Sequence, residues 1–144
     1  MRVYLDNCCF NRPFDDQGQA RIRLESEAKL HVQQRIADGQ LELAWSYVLD
    51  YENAANPFRE RMRAIADWKR HAAKDVEETP AILTKASDLQ RLGLRSIDAL
   101  HVACAIAADC DYFVTTDDSV LQCSRRVPEI KIVDPPTFIR EALA

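Results

Sequence analysis

The chain has 144 residues, of which 47% are hydrophobic and 29% are charged, and its formal net charge at pH 7 is −4. These values predict one globular domain over residues 1–144, and they exclude both extensive disorder and a global basic field. No segment approaches the roughly 18 apolar residues of a membrane span, and no apolar leader follows Met1. We therefore expect a cytoplasmic protein without membrane contacts.

The first half of the chain alternates short apolar strands with helices. Its predicted elements are a strand over 2–5, a loop over 7–16, a helix over 19–38, a strand over 41–45 and a helix over 46–55. Asp15 or Asp16 can cap the long helix, and Gly39 is placed to end it. Ser46 is the expected cap of the helix that follows the second strand.

The second half is predicted to be mostly helical. Asn56-Pro57 starts a helix with an apolar face that continues to Ala72, and Thr79-Pro80 starts another that runs to Gly93. The remaining predicted elements are a helix over 98–109, a strand over 112–116, a helix over 119–123, a strand over 130–133 and a helix over 137–143. In the helix predicted from Asn56 to Ala72, the face opposite the apolar one carries basic side chains, namely Arg59, Arg61, Arg63 and Arg70.

The order of these elements indicates the fold class. Short apolar strands interleaved with helices favour a parallel sheet whose two faces are both covered. We therefore predict a three-layer α/β/α domain with a parallel sheet of four to five strands. The five cysteines show no CxxC spacing, which argues against a disulfide framework or a zinc site and favours buried thiols.

Two acids in the segment 95–118 are expected to lie side by side. A helix over 98–109 rises about 18 Å, and a strand over 112–116 returns about 17 Å after a short turn. Asp98 and Asp117 should therefore stand at the same carboxyl edge of the sheet, where open α/β sheets bind ligands.

Asp6 and Glu52 are predicted to join them at this edge. Asp6 directly follows the first strand, and Glu52 lies in the first two turns after the second strand. Carboxylates this close raise one another's pKa or bind a cation, and oxygen donors suit Mg²⁺ or Mn²⁺. Each acid also has a simpler interpretation as a helix cap, a turn residue or a solvated side chain, and for Asp118 the cap is favoured.

Four sequence segments resemble the motifs of the PIN-domain family, which includes the VapC-like metal-dependent ribonucleases. The segments, in chain order, are Val3-Tyr4-Leu5-Asp6, Ser46 with Glu52 six positions later, Arg95-Ser96-Ile97-Asp98-Ala99, and Thr115 two positions before Asp117. The resemblance implies a hydrolase that cleaves RNA phosphodiester bonds, with Mg²⁺ or Mn²⁺ held by catalytic Asp6, Glu52, Asp98 and Asp117. It also implies an antitoxin as a small protein partner, and we expect a homodimer.

Further residues beside these motifs are candidates for substrate contact or for support of the acids. They are Asn7, Thr115, Asp118 and Arg12. Asn7 and Cys8-Cys9 depart from the family pattern, which usually has threonine or serine after the first acid. His101 is expected to be a buried, hydrogen-bonded structural residue. The alternative hypothesis is a catalytically weak PIN-fold module that binds nucleotides or RNA.

Overall fold

The computed structural model describes residues 1–143 and contains a five-stranded parallel sheet. Its strands are β1 (Arg2–Leu5), β2 (Glu42–Ser46), β3 (Ala72–Val76), β4 (Tyr112–Val114) and β5 (Lys131–Val133). The spatial order is β3-β2-β1-β4-β5, and every neighbouring pair is parallel. This arrangement confirms the predicted fold class.

Eight α-helices in the described residues cover the two faces of the sheet. They are α1 (Asn7–Asn11), α2 (Ala20–Ala37), α3 (Tyr47–Ala54), α4 (Arg59–Asp67), α5 (Pro80–Arg91), α6 (Ser96–Ala107), α7 (Asp118–Leu121) and α8 (Pro135–Phe138). Helix α6 packs against α5, and its side chains are mostly buried, as expected of a helix without a polar face. None of the helices within residues 1–143 combines the length and apolarity that crossing a bilayer requires.

The strand order places a topological switch point between β1 and β4. The chain leaves β1 toward β2 and β3 on one side, and β4 and β5 lie on the other side. The chain segments that follow β1 and β4 therefore diverge from the carboxyl ends of these two strands. The crevice between them is where α/β proteins bind ligands. Asp6 follows β1 at this crevice, and Thr115, Thr116 and Asp117 follow β4.

The predicted loop over 7–16 is wrong for most of its length. Residues Asn7–Asn11 form α1, and Arg12–Phe14 form a 3₁₀ turn. Helix α1 begins directly after β1 because the Asp6 carboxylate accepts a hydrogen bond from the Asn7 N–H and so caps the helix. Cys9 and Phe10 on α1 are buried in the core.

The predicted helix from Asn56 to Ala72 is too long at both ends. Helix α4 covers only Arg59–Asp67, a 3₁₀ turn follows, and β3 begins at Ala72. Strand β3 lies at the edge of the sheet and is mostly exposed, so its sequence, Ala-Ala-Lys-Asp-Val, lacks a strand pattern. Pairing with β2 determines its conformation, and local propensity does not.

Two smaller expectations also need correction. Neither Asp15 nor Asp16 caps α2, whose capping position is Gln19. Asp15 instead forms ion pairs with Arg12 and Arg61, and Asp16 accepts from the Gly18 N–H. The last helix begins at Pro135, two residues earlier than predicted, because Asp134 caps it, and it continues as a π-helical turn over Ile139–Leu143.

Candidate metal centre

Asp6 is a buried acid whose two carboxylate oxygens are both fixed. Its Oδ1 accepts from the Asn7 N–H at 2.8 Å, and its Oδ2 accepts from the Thr115 hydroxyl at 2.8 Å. The backbone N–H of Asp6 donates to the Val114 carbonyl at 2.9 Å, which ties the residue to β4. The donors to both oxygens are neutral N–H and O–H groups, so they hold the carboxylate in place without supplying a positive charge.

Glu52 is held by a chain of buried hydrogen bonds. His101 Nε2 lies 2.7 Å from Glu52 Oε1, and His101 Nδ1 lies 2.6 Å from the Tyr4 hydroxyl. The Tyr4 oxygen lies 2.6 Å from Ser46 Oγ, which accepts from the Leu49 N–H. Because an ionised carboxylate only accepts, a neutral His101 donates from Nε2, and Tyr4 and Ser46 then donate in turn along the chain.

His101 lies between the two acids. Its Nε2 is 3.9 Å from Asp6 Oδ1, and its ring is fully buried. Burial lowers the pKa of His101, but the hydrogen bond to Glu52 and the charges of Asp6, Glu52 and Asp98 outweigh burial, so this pKa is raised. The imidazole therefore holds its proton on the side that faces the acids. The prediction of a buried, hydrogen-bonded His101 is confirmed.

Asp98 and Asp117 share one counterion. Arg95 Nε donates to Asp98 Oδ2 at 3.0 Å, and Arg95 Nη2 donates to Asp117 Oδ2. Asp117 also caps α7 and accepts from the Ser119 N–H and hydroxyl at 2.8 and 2.7 Å. One guanidinium contacts both carboxylates, which confirms that the two acids lie side by side, although β4 ends at Val114, two residues before the predicted end of its strand.

The two acids of this pair respond differently to their surroundings. Burial raises the pKa of Asp98. The hydrogen bond from Arg95 opposes this rise, and the negative charges of Asp6 and Asp117 add to it. Burial also raises the pKa of Asp117, but the hydrogen bonds from Ser119 and the Arg95 charge prevail, so that pKa is lowered. Of the two acids that Arg95 contacts, Asp98 is therefore the one whose surroundings favour the charged form less.

The donor set fits a hard divalent cation. Ligand atoms of Asp6, Glu52 and His101 all lie within 4.8 Å of one another. Both ring nitrogens of His101 are engaged in hydrogen bonds, so carboxylate oxygens are the donors available to an ion. Such oxygens are the ligands that Mg²⁺ and Mn²⁺ prefer. Each carboxylate oxygen of Asp6 keeps a lone pair beyond the bond it accepts.

Thr115 and Asn7 lie beside these acids. The Thr115 hydroxyl donates to Asp6 and accepts from the Asp117 N–H at 3.1 Å, so it links the two pairs of acids. The Asn7 amide oxygen is buried and has no hydrogen-bond partner among the described residues. Asn7 thus has an acceptor beside Asp6 that a water or a substrate hydroxyl can satisfy.

The two other predicted candidates bind elsewhere. Asp118 accepts two hydrogen bonds from the Arg21 guanidinium, at 2.8 and 3.0 Å, and its side chain is exposed. Arg12 donates to Glu25 and Asp15 at 3.0 and 3.1 Å. These internal ion pairs keep both side chains engaged away from the acids. Asp117, rather than the favoured Asp118, caps α7.

Sequence reasoning missed three residues that position the acids. The sequence indicates Tyr4 only as a strand and motif residue, Ser46 only as a cap and motif residue, and Arg95 only as a motif residue. Arg95 lies three positions before Asp98, and this spacing on a helix was an available signal for an ion pair. No local pattern joins Tyr4 to His101, because 97 residues separate them.

An open groove lies next to the acids, between α3 and α6. Its volume is about 730 Å³, and Glu52 and Arg95 lie among residues that are otherwise mainly apolar or aromatic. Tyr51 contributes a ring that is 74% exposed, and the Tyr47 hydroxyl is buried without a hydrogen-bond partner in the described part of the chain. The groove therefore combines aromatic surface with one cation close to the candidate metal centre.

Comparisons with known proteins agree with this fold. The family model described as PIN domain matches residues 3–125. A chain in the crystal structure of VapBC2 from Rickettsia felis, bound to a DNA fragment from their promoter, has a similar fold with a TM-score of 0.56. The two chains are 14% identical, and the similarity covers 92% of this chain and 97% of the other. No curated protein matches the sequence.

Proposed function

This chain belongs to the PIN-domain family, and from that premise we propose that it is a nuclease that uses Mg²⁺ or Mn²⁺ to hydrolyse phosphodiester bonds of RNA. The observation that carries the proposal is the meeting of Asp6, Glu52 and His101 at the switch point of the sheet. Rigid acids beside a ligand crevice provide a preorganised negative site, which favours the binding of a cation.

We assign the cation to carboxylate oxygens. Asp6 and Glu52 would hold it, and Asp98 and Asp117 would complete the donor set when the Arg95 guanidinium moves aside. When bound, such an ion supplies Lewis acidity, lowers the pKa of water and neutralises charge on a phosphoryl oxygen. The exposed side chain of Arg95 allows this movement, because 65% of it is open to solvent.

The residues around the acids have positioning roles in this proposal. Thr115 and the Asn7 N–H keep both oxygens of Asp6 in place, and His101 fixes one oxygen of Glu52. Arg95, once displaced from the acids, can donate to a phosphate with the same N–H groups. The orphan amide oxygen of Asn7 can accept a hydrogen bond from a ribose hydroxyl or a water near Asp6.

The groove supports single-stranded RNA as the substrate class. Bases stack on aromatic side chains without strict sequence preference, and Tyr51 offers an exposed ring beside Glu52. Arg95 at the same groove supplies a positive charge for the backbone, although the chain as a whole is acidic. The exposed side chains of Arg59, Arg63 and Arg70 are further candidates for backbone contacts, whereas Arg61 pairs with Asp15.

A role in a toxin–antitoxin pair is a further part of the proposal. The VapBC2 complex from Rickettsia felis has a similar fold and supports a small antitoxin as a partner of this chain. A homodimer and a cytoplasmic location agree with such a role and remain predictions. Co-expression with the product of a small neighbouring reading frame, followed by purification of a complex, tests the partnership.

Cleavage of RNA by the purified chain tests the enzymatic proposal. With Mn²⁺ we expect cleavage that chelation by EDTA stops and that Asp6→Asn or Asp98→Asn lowers by more than about 100-fold. Asp88→Asn is the matched control, because Asp88 is an exposed acid on α5 that pairs with Arg91. Unchanged cleavage in Asp6→Asn or Asp98→Asn would contradict the assigned role of that residue.

The second candidate function is an RNA-binding module with little catalysis. One observation favours it: Arg95 already neutralises Asp98 and Asp117 without any metal. Calorimetric titration with Mn²⁺ discriminates between the two functions. RNA binding that persists without measurable Mn²⁺ binding supports the module, whereas Mn²⁺ binding that Asp6→Asn removes supports the nuclease.

A further inference from the structure

A second group of buried polar side chains lies on α2 and has no role in the proposed chemistry. Lys29 and Gln33 are 3% and 5% exposed, and their spacing of four residues puts them on the same helix face. No carboxylate in the described chain forms an ion pair with Lys29. A lysine this deeply buried normally has such a partner.

Both side chains line a small cavity with apolar walls. The cavity has a volume of about 90 Å³ and lies between α1, α2 and α4, with Phe10, Ile65 and Trp68 among its walls. Two further hydrophobic side chains that line it, Phe14 and Leu30, are 46% and 51% exposed. The cavity therefore opens to solvent between apolar groups, and we call it the Lys29 pocket.

The Lys29 pocket contains hydrogen-bond donors without acceptors. The ammonium group of Lys29 faces the Phe10 ring, 5.2 Å from its centroid, and the Gln33 Nε2 group is buried without a hydrogen-bond partner. A cation–π contact compensates only part of the loss of hydration. Burial accordingly lowers the pKa of Lys29 to about 7, and only the nearby Cys9 opposes this shift.

We propose that the Lys29 pocket binds a small apolar carboxylate. A carboxylate can accept from Lys29 Nζ and from Gln33 Nε2 together, and it supplies the negative charge that the pocket lacks. Its hydrocarbon part would contact Phe14 and Leu30 at the opening. The volume is about three times the roughly 30 Å³ that a water occupies in the liquid, which suits a carboxylate with a few carbons.

The aromatic walls distinguish this ligand class from other anions. Phosphate and sulfate need donors on all sides, whereas the Lys29 pocket offers donors from one helix and hydrocarbon elsewhere. A neutral amide of the same shape lacks the charge that pairs with the ammonium group. Butyrate and butyramide are therefore the matched probes for this pocket.

Nuclear magnetic resonance of the full chain tests the proposal directly. Butyrate should shift the side-chain amide resonances of Gln33 with a saturable curve, and butyramide should bind at least tenfold more weakly. Lys29→Met should weaken butyrate binding at least tenfold. Lys131→Met should leave it unchanged, because Lys131 makes a similar contact with Tyr112, at 5.4 Å, but is exposed and outside the pocket.

A second variant keeps the test decisive if Lys29→Met does not fold. Gln33→Glu places a carboxylate beside Lys29 within the chain, so it should abolish butyrate binding and raise the melting temperature. The proposal is overturned if butyrate gives no saturable shift, if butyramide binds equally well, or if either variant binds butyrate as the unmodified chain does. None of these outcomes depends on nuclease activity.

Discussion

The acids at the carboxyl edge of the sheet and the Lys29 pocket both bury ionisable groups, but they treat them in opposite ways. Asp6 accepts a hydrogen bond from Thr115, and Glu52 accepts one from His101. Each polar group along the chain of hydrogen bonds behind Glu52 has a partner. Lys29 has no acceptor in the described chain. The first arrangement is rigid without a ligand and the second is strained without one. The comparison therefore predicts opposite responses to substitution.

The largest expected effect is a gain of stability in Lys29→Met. Methionine fills the same apolar space without an ionisable group, so we expect the free energy of unfolding at pH 7 to rise by roughly 1–4 kcal/mol. Urea denaturation in a buffer without carboxylates measures it, with Lys131→Met as the control. A variant less stable than the unmodified chain would show that the ammonium group is better solvated than its contacts indicate.

The same substitution carries a pH signature. The pKa of Lys29 is about 7 in the folded chain and roughly 10.4 when unfolded, so the unfolded state binds more protons between these values. The stability of the unmodified chain relative to Lys29→Met should therefore increase from pH 7 to pH 10. Below the folded pKa the difference between the two chains should become constant. A difference independent of pH would rule out Lys29 as its source.

The opposite response is expected when a bond of the acid edge is removed. Tyr4→Phe removes the donor to His101 Nδ1 and the acceptor for the Ser46 hydroxyl proton, while the ring can keep its stacking on Phe113 at 5.3 Å. We expect a loss of about 1–3 kcal/mol in unfolding free energy and a 10- to 100-fold loss in Mn²⁺ affinity. Denaturation and calorimetry measure the two effects.

Tyr112→Phe is the matched control for this substitution. The Tyr112 hydroxyl donates to Glu141 at 3.2 Å and has no hydrogen bond to the acids or to the residues that hold them in the described chain. It should leave Mn²⁺ affinity unchanged. Equal losses of affinity in the two variants would show that Tyr4 acts on the metal centre only through general stability.

The parallel sheet and the side-by-side placement of Asp98 and Asp117 could be predicted from the sequence, because both follow from local rules. Strand composition, capping residues and the rise per residue determine them without knowledge of distant contacts. For Glu52, the sequence predicted the location at the carboxyl edge of the sheet but not the hydrogen bonds that hold the side chain there. Its support by His101, Tyr4 and Ser46 joins three distant segments, and no pattern within one segment encodes it.

The elements that prediction missed were those stabilised by tertiary contacts. Strand β3 is exposed and forms because β2 offers an edge to pair with, and α1 forms because Asp6 caps it and Phe10 is buried. Nothing in the sequence indicates that Lys29 is buried, because a lone lysine on a helix is usually solvated. The Lys29 pocket therefore became visible only in three dimensions.

A smaller effect should follow when the counterion of the other two acids is removed. Arg95→Met leaves Asp98 and Asp117 without the guanidinium that both now contact. We expect Mn²⁺ affinity to rise about tenfold, because the ion no longer competes with a resident cation. The pKa of Asp98 should rise further, since Arg95 lowers it at present.

Calorimetry without RNA and carboxyl-carbon resonance titrations measure these two changes. Arg91→Met is the control, because Arg91 pairs with Asp88 on the exposed surface of α5. An unchanged Mn²⁺ affinity in Arg95→Met would mean that the ion binds at Asp6 and Glu52 alone. That result would reduce the proposed donor set to Asp6 and Glu52, whose carboxylates accept hydrogen bonds from neutral donors.

The smallest effect is expected for Asp118→Asn, which decides whether Asp118 belongs to the site. Asp118 pairs with Arg21, and both side chains are more than half exposed, at 65% and 52%. Exposed ion pairs contribute little, so the melting temperature should change by less than about 3 °C and RNA cleavage by less than about twofold. Melting curves and initial cleavage rates measure both. A cleavage loss comparable to that of Asp98→Asn would instead mean that Asp118 leaves Arg21 and joins the acids when RNA binds.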